Sequence, residues 1–144
     1  MTDANHSGRT ALVVTTINTP GTAMRALASG CDAHGWDMIV AGDRKTPGDF
    51  TLAGAEYLSI DAQRDSGFAL AGILPEGTYA RKNLGYLEAM RRGAGIIVET
   101  DDDNFPEIGF WEPRTRQVGC RTMVHDGWVN AYAYFSDAFI YPRG

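Results

Sequence analysis

Three consecutive aspartates, Asp101, Asp102 and Asp103, directly follow the segment "GIIVET" at residues 95–100. Adjacent carboxylates repel one another, so such a cluster is favourable in solvent or around a cation. Asp101 and Asp103, which are separated by one residue, offer the oxygen ligands that Mg²⁺ and Mn²⁺ prefer. The pattern lacks the glycine and the distal glutamate of an EF-hand loop. A divalent-cation site and a solvated turn are therefore both open at this point.

Polar side chains also end two other apolar segments. Thr16 and Asn18 close the segment "ALVVTTIN" (residues 11–18), and Asp43 closes "WDMIVAGD" (residues 36–43). Hydroxyl and amide groups can donate to and accept from a base or a sugar, and acidic residues at strand ends bind ribose in nucleotide folds. These three side chains are candidate nucleoside contacts, although threonine is also a common strand former.

Two cations, Arg81 and Lys82, lie in the first turn of a predicted helix. Free backbone N–H groups at a helix N-terminus already favour anions, and two cations there would add to that preference. They are candidate phosphate contacts, and the alternative interpretation is a solvated helix face.

Several common catalytic classes lack support in the sequence. It contains no G-x-S-x-G, no Walker A loop and no G-x-G-x-x-G, which argues against the corresponding hydrolase, P-loop and dinucleotide-binding proteins. The two cysteines, Cys31 and Cys120, form neither a C-x-x-C nor a zinc-type spacing, so we expect both to be reduced and to lie in or near the core.

The composition is that of an acidic globular protein. The chain has 144 residues, 44% of them hydrophobic, with a net charge of -5 and a pI of about 5.0. This charge argues against nucleic acid and anionic membranes as partners, but it allows a small phosphorylated ligand in a locally basic pocket. The polar start "MTDANHSGRT" lacks the apolar region of a signal peptide, and no run approaches the roughly 20 residues of a membrane span. We expect a cytoplasmic protein without a membrane segment.

Apolar runs typical of buried strands alternate with helical patterns along the chain. The predicted strands are 11–18, 36–43, 56–60 and 95–100. The predicted helices are one with Thr19 as N-cap, Pro20 as first residue and Gly35 as its stop, a short one from Asp61 toward Leu70, and a third over 78–93.

This alternation predicts an α/β fold with a mostly parallel sheet flanked by helices. Ligands of such sheets bind beyond the carboxyl ends of the strands, so the candidate polar loops should share one edge. Beyond Asn104 aromatic and turn residues dominate, and short strands are predicted near 117–123 and 129–135. We expect a flexible tail at 1–10 and a single domain at 11–144, best supported over 11–104.

Four motifs, in this order, resemble the STELLO-type glycosyltransferase family: "VVTTIN", "VAGDRKTP", "LPEGTYARKNLGYLEAM" and "IIVETDDDN". They are more distantly similar to the reversibly glycosylated polypeptides, which act as UDP-arabinopyranose mutases. Both families are associated with the GT-A fold of nucleotide-diphospho-sugar transferases. The resemblance covers roughly Leu12 to Asn104, and the final "YPRG" also looks like family sequence.

The resemblance implies a function and a site. The protein would be a metal-dependent transferase for a nucleoside-diphosphate sugar, with a UDP-sugar as the expected donor. The "DDD" stretch matches the D-x-D position of GT-A enzymes, so Asp101 would lie near the donor ribose and Asp103 would bind Mn²⁺ or Mg²⁺ at the diphosphate. The implied nucleotide-sugar-binding residues are Thr16, Asn18, Asp43, Arg81, Lys82, Asn83, Asp101 and Asp102.

One departure from the family is length, because GT-A domains run well beyond 144 residues. The sequence resembles a GT-A domain truncated at its C-terminus, so no catalytic base is assigned, and exposed edges would favour a homo-oligomer. Three alternatives stay open: a mutase or autoglycosylating protein of the same fold, a non-catalytic binding or scaffolding module, and a structural cation loop with no nucleotide site.

Overall fold

The structure is a computed structural model that describes residues 8–113, 117–122 and 124–140. It divides into two compact units, 1–112 and 113–144, which are treated separately below. The single domain predicted for 11–144 stays a prediction.

Strands and helices alternate through the first unit. Its strands and α-helices, in chain order, are β1 (Arg9–Thr16), α1 (Thr22–His34), β2 (Asp37–Gly42), β3 (Ala55–Leu58), α2 (Ile60–Asp65), α3 (Lys82–Arg91) and β4 (Ala94–Asp101). Short 3-10 helices occupy Ala69–Gly72, Tyr79–Arg81 and Ile108–Trp111.

The four strands form one parallel sheet in the order β3-β2-β1-β4. This confirms the predicted α/β class, and a parallel sheet with helices is consistent with the GT-A-like architecture that the resemblance implies. The register pairs Thr16 with Gly42 and Thr15 with Asp101. The carboxyl ends of β1, β2 and β4 therefore lie side by side, as predicted for the candidate site.

Side chains of β1 and β2 alternate between two apolar clusters. Leu12, Val14, Met38 and Val40 pack with α1, while Val13 and its neighbours face α3. Because both faces are covered, these strands read as continuous apolar runs in the sequence.

Strand β4 is not buried on both faces as its apolar sequence predicted. Its residues are mostly half-buried or exposed, although "GIIV" reads as a buried run. Within the part of the chain that the structure describes, β4 pairs only with β1, so it lies at an edge of the sheet. The predicted tail was also too long, because Arg9 and Thr10 already pair with β4.

Helix α1 begins later than predicted. Its N-cap is Gly21, whose carbonyl accepts the hydrogen bond from Arg25 N–H, so Thr19 and Pro20 precede the helix. Glycine is an accepted N-cap because its backbone readily takes the extended conformation required there. The predicted stop is confirmed: Gly35 has a φ of 65°, in the left-handed region.

The predicted cap of α2 was wrong by two residues. Ser59, not Asp61, is the N-cap, and its hydroxyl accepts a hydrogen bond of 3.1 Å from Ala62 N–H. Asp61 instead pairs with Arg64 one turn along the helix. The helix ends at Asp65, before Gly67 takes a φ of 79°.

The helix predicted over 78–93 begins as a 3-10 turn. Thr78 caps that turn by accepting from Ala80 N–H, and the α-helical hydrogen bonds of α3 follow from Lys82 onward. Arg81 and Lys82 therefore lie at the start of α3, as predicted.

The second unit contains a 3-10 helix at Ala131–Tyr134. No strand forms among its described residues, so the strands predicted near 117–123 and 129–135 are wrong there; Met123 lies outside the described residues. In the second segment the Asn130 side chain accepts a hydrogen bond from Tyr132 N–H, and such local bonds compete with strand pairing.

The two cysteines differ in environment. Cys31 is buried and free, and burial, with a further contribution from Asp37, raises the pKa of its thiol to about 12. Cys120 is also free, but it is exposed rather than near a core, because its segment forms no strand that would bury it. No helix in the described part of the chain has the length and apolar character needed to cross a bilayer.

Replacing Gly85 with alanine should destabilise the first unit. The added Cβ would lie 2.5 Å from Cγ1 of Val13, a fully buried and stiff side chain of β1. Overpacking costs about 1–3 kcal/mol, against the roughly 1 kcal/mol that alanine gains over glycine inside a helix. We expect urea denaturation to give a free energy of unfolding lower by about 1 kcal/mol.

The matched control is Gly72→Ala, where a Cβ meets nothing within 4 Å. It should leave the unfolding midpoint nearly unchanged. A Gly85→Ala protein as stable as the wild type would contradict the close approach of α3 to the sheet.

Candidate functional site

A cleft of about 340 Å³ lies at the carboxyl edge of the sheet. Its walls are residues 15–18 at the end of β1, 41–45 at the end of β2, 77–79 before α3, and the side chains of Arg81 and Asp102. The volume is at the small end of the usual range for small-molecule sites. Five of the predicted site residues therefore converge, as the parallel topology requires: Thr16, Asn18, Asp43, Arg81 and Asp102.

The cleft is locally basic on an acidic protein. Three cationic side chains, Arg44, Lys45 and Arg81, line it together with two acidic ones, Asp43 and Asp102. Charges focused in a low-dielectric cleft act on a ligand more strongly than the net charge of the whole chain. A small anion can therefore bind despite the overall charge of -5.

Asp102 is the aspartate of the triplet that lines the cleft. Its Oδ2 accepts hydrogen bonds from the Thr16 hydroxyl at 2.5 Å and from Asn18 Nδ2 at 3.1 Å. The Thr16 hydroxyl in turn accepts from Asn18 N–H at 3.0 Å. These bonds join the end of β1 to the end of β4 and leave the two residues predicted to contact a nucleoside already ordered.

Asp101 is held away from the cleft by an ion pair. Its Oδ1 lies 3.2 Å from the ammonium of Lys82, which also donates to the Thr100 carbonyl and lies 3.0 Å from Glu99. Lys82 is buried, so its charge needs such partners. Lys82 is thus shared between Glu99 and Asp101, and neither Lys82 nor Asp101 lines the cleft.

The Lys82 cluster shifts three pKa values. Burial lowers the pKa of Lys82, but its hydrogen bonds to Glu99 and Asp101 outweigh this and raise it overall. Hydrogen bonds from Tyr86 and then Lys82 lower the pKa of Glu99. Burial, followed by the hydrogen bond to Glu99, raises the pKa of Tyr86 to about 12. All three groups keep their usual protonation state at neutral pH.

Asp43 lines the cleft, but its carboxylate is used to hold a loop. Oδ2 accepts from Gly77 N–H at 2.7 Å and from Thr78 N–H at 3.1 Å, and Oδ1 accepts from Arg44 N–H at 2.7 Å. A carboxylate that accepts several backbone N–H groups is a strong anchor. Asp43 therefore fixes the 77–79 wall of the cleft against the end of β2.

Arg81 is a buried cation with an incomplete set of partners. Its side chain is 3% exposed, and its Nη1 donates to Gln63 Oε1 at 3.1 Å. Its Nε is buried without a hydrogen-bond partner. Oε1 of Glu76 lies 4.0 Å from Nη2, beyond hydrogen-bond distance, and already accepts from Arg64 at 2.6 Å.

Arg81 contrasts with the other buried charges. Among the described residues the buried charged side chains are Arg81, Lys82 and Glu88. Glu88 pairs with Arg91 and Arg92, and Lys82 pairs with two carboxylates. Arg81 has no carboxylate within hydrogen-bond distance, which is costly for a buried charge and would be relieved by a bound anion.

Two predicted residues take other positions. Asn83 donates to the Ala80 carbonyl at 2.9 Å, so it supports the start of α3 and does not line the cleft. Asp103 is exposed in the turn after β4.

Sequence reasoning overlooked three residues of the site. Arg44 and Lys45 follow Asp43 directly, and their charge next to a strand end was a usable signal. Gln63 carried no signal, because a single glutamine on a short helix is unremarkable until the fold places it beside Arg81.

A divalent cation remains compatible with the donors at the cleft. The described residues contain no group of three or more His, Cys, Asp or Glu side chains placed to hold a metal. Mg²⁺ at phosphates, however, is commonly bound by one or two carboxylates together with the phosphate oxygens and water. Asp102 lines the cleft and Asp103 follows it in the exposed turn, so carboxylates of the kind that such an ion binds are present at and beside the cleft.

The chain is similar to two plant proteins over much of its length. It is 33% identical to "Probable glycosyltransferase STELLO1" of Arabidopsis thaliana over 98% of the chain, and 30% identical to "Probable glycosyltransferase STELLO2" of the same plant over 76%. The matched regions are 20% and 16% of those proteins, so the chain spans about a fifth of their length or less. No protein-family model matches the chain. The similarity confirms the resemblance to the STELLO-type family.

Replacing Asp43 with alanine should release the 77–79 wall. Gly77 and Thr78 would lose the acceptor of their N–H groups, so we expect hydrogen exchange at these two amides to accelerate by about tenfold or more, the equivalent of one charge-assisted bond. Mass spectrometry or NMR can measure the exchange.

Asp49→Ala is the control for this exchange measurement, because Asp49 is an exposed aspartate in the same loop region. It should leave the Gly77 and Thr78 amides protected. Unchanged exchange in Asp43→Ala would mean that the wall is held by other contacts.

Tyr86→Phe should change the acid titration of Glu99. A carboxyl with a lowered folded-state pKa stabilises the fold above its unfolded pKa, here about 4.5, and that contribution is lost as the pH falls through the folded pKa. Removing the Tyr86 hydroxyl deletes the main cause of the lowering. NMR titration should show the Glu99 pKa below 4.5 in the wild type and closer to 4.5 in the variant.

Tyr79→Phe removes the hydroxyl of an exposed tyrosine and serves as the comparison. It should not move the Glu99 pKa. An equal titration of Glu99 in all three proteins would rule out the Tyr86 hydrogen bond as the cause.

Proposed function

We propose that this chain, which is similar to the STELLO-type proteins over almost all of its length, forms the donor site of a glycosyltransferase and binds a nucleoside-diphosphate sugar, with a UDP-sugar as the expected donor. The relatives bear the name probable glycosyltransferase, and the chain spans only about a fifth of the length of STELLO1. The proposal therefore concerns donor binding first, and transfer by the larger assembly second.

The observation that carries the proposal is the incompletely partnered guanidinium of Arg81 at the cleft. Nε and Nη2 form the edge with which arginine binds oxyanions through two parallel hydrogen bonds. Nε has no partner, and the Glu76 carboxylate lies 4.0 Å from Nη2. A diphosphate would satisfy this edge and balance the buried charge, while Arg44 and Lys45, which also line the cleft, add positive potential.

The nucleoside part would lie toward the end of β1. The exposed Asn18 side chain is ordered there by Asp102, and the buried Thr16 hydroxyl supports it by donating to Asp102 and accepting from Asn18 N–H. An amide side chain suits the polar edges of a base or a ribose. Asp43 would contribute indirectly, because its carboxylate already holds the loop that carries the 77–79 wall.

We further propose that Mn²⁺ or Mg²⁺ accompanies the diphosphate at the aspartate turn. Asp103 is retained from the sequence prediction as a ligand. Asp101 is already paired with Lys82 and does not line the cleft, so Asp102, which does, is the better second ligand. When bound, the ion would offset the negative charge of the diphosphate.

The chemistry supported by these groups is departure of a nucleoside diphosphate. In glycosyl transfer the bond between the sugar C1 and the diphosphate oxygen breaks, and the oxygen keeps the electron pair. Arg81 would hydrogen-bond the charge that develops there, because a preorganised cation stabilises such charge effectively. No described residue of this chain is assigned to bind the acceptor or to deprotonate it.

A thermal-shift titration tests the proposal. A ligand that binds only the native state raises the midpoint according to RT ln(1 + [L]/Kd). We expect Mn²⁺ and UDP together to raise the wild-type midpoint more than either alone. Arg81→Met should weaken UDP binding by about tenfold or more, the equivalent of a lost charge-assisted hydrogen bond. Asp102→Asn and Asp103→Asn should abolish the excess due to Mn²⁺, whereas Asp101→Asn should preserve it.

Arg25→Met is the matched control, because it removes an exposed guanidinium from α1 and should not alter UDP binding. If UDP shifts neither the wild type nor the control, with or without Mn²⁺, the donor-binding proposal is wrong. If UDP binds but no UDP-sugar is consumed with or without acceptor, the site is a non-catalytic nucleotide-sugar-binding module.

A further inference from the structure

We propose that Gln63 is a positioning residue that sets the orientation of the Arg81 guanidinium at the cleft and thereby its ability to bind a diphosphate. This inference rests on the proposed function for the identity of the ligand. Its structural part, the control of Arg81 by Gln63, does not depend on any ligand.

Gln63 is almost completely buried and uses its whole amide. Its side chain is 1% exposed although it belongs to a helix of six residues. Nε2 donates to the Gly42 carbonyl at 2.7 Å and to the Leu58 carbonyl at 2.8 Å, while Oε1 accepts from Arg81 at 3.1 Å. Both amide protons and the carbonyl oxygen are thereby engaged.

These partners determine which way the amide faces. Two carbonyl oxygens can be satisfied only by the NH₂ group, and a guanidinium can be satisfied only by the oxygen. The reversed amide would oppose carbonyl to carbonyl and N–H to N–H. The orientation therefore follows from the chemistry of the neighbours, and Oε1 is fixed toward Arg81.

The position of the two carbonyls explains why Gln63 can act on the cleft. Gly42 is the last residue of β2 and Leu58 is the last residue of β3. The amide is thus anchored to the carboxyl edge of the sheet. Gln63 therefore links the Arg81 guanidinium by hydrogen bonds to the ends of two strands. The orientation of Arg81 then depends on the sheet as well as on the loop that precedes α3.

A neutral acceptor suits this role better than a carboxylate. The Gln63 oxygen holds Nη1 without cancelling the positive charge of Arg81, so the charge stays available for an anion. It also leaves the edge formed by Nε and Nη2 outside the contact. The hydrogen bond at Nη1 already restricts the motion of the guanidinium. Less conformational entropy is therefore lost when a ligand binds to it.

The first arm of the test examines the free protein. The Nη signals of Arg81 in a ¹⁵N NMR spectrum should show hindered rotation in the wild type, and Gln63→Met should remove this signature. Gln117→Met makes the same chemical change at an exposed side chain and should preserve it. Because Gln63→Met could fail to fold, the reciprocal measurement uses Arg81→Met, which should shift the Gln63 side-chain amide signals and accelerate their exchange.

The second arm compares UDP with uridine by calorimetry. Gln63→Met should weaken UDP binding by about tenfold, the equivalent of one hydrogen bond to a charged group. It should leave uridine binding unchanged, because uridine lacks the diphosphate. In the double variant Gln63→Met/Arg81→Met, UDP should bind no more weakly than to Arg81→Met alone, since the two side chains act as one unit.

The outcomes separate the two proposals. Unchanged Arg81 signals in Gln63→Met, together with unchanged Gln63 signals in Arg81→Met, overturn the positioning role. Equal weakening of UDP and uridine, or additive losses in the double variant, also overturn it, because a merely structural glutamine would produce that pattern. Loss of the Arg81 signature in a protein that does not bind UDP supports the positioning role and rejects the proposed function.

Discussion

Burial of β1 and β2 on both faces is the constraint on which the other features of the first unit depend. Alternate side chains of these strands pack with α1 on one face and α3 on the other. The close approach of Gly85 to Val13 brings α3 against the sheet. Since the strands are parallel, this packing also aligns their carboxyl ends, and every polar group of the cleft is positioned from that edge.

Burial of charge is a second organising feature of the edge. Lys82 and Glu88 are buried, and each forms ion pairs with two side chains of opposite charge. Arg81 instead donates one hydrogen bond to the neutral Gln63 side chain and has an unpartnered Nε. Adjacent residues at the start of α3 thus differ: Lys82 is paired with two carboxylates, and Arg81 has no carboxylate within hydrogen-bond distance.

The acidic residues divide in the same way. Asp43 is occupied by backbone amides and acts as an anchor, and Asp101 is occupied by Lys82. Asp102 is bound only by neutral donors, the Thr16 hydroxyl and the Asn18 amide, so its negative charge is still available for a cation. The cleft therefore contains a buried cation without a close counter-charge and a carboxylate bound by neutral donors, and the proposed metal–diphosphate binding rests on these two features.

The sequence by itself determined the fold class and the convergence of the site. Continuous apolar runs separated by helical patterns require a parallel sheet covered on both faces, and parallel strands end at one edge. That reasoning was enough to bring Thr16, Asn18, Asp43, Arg81 and Asp102 to one cleft. It failed at the second unit and at the caps of α1 and α2, where local hydrogen bonds of Asn130, Gly21 and Ser59 decide the outcome.

Only the tertiary structure decided which polar side chains are occupied and which are available. The sequence does not tell which of Asp101, Asp102 and Asp103 meets Lys82 and which lines the cleft. Gln63 is separated from Arg81 by 18 positions and from Gly42 by 21, so its role appears only after the sheet brings these residues together. Hydrophobic periodicity specifies which residues are buried, whereas the partners of buried polar groups depend on contacts between distant segments.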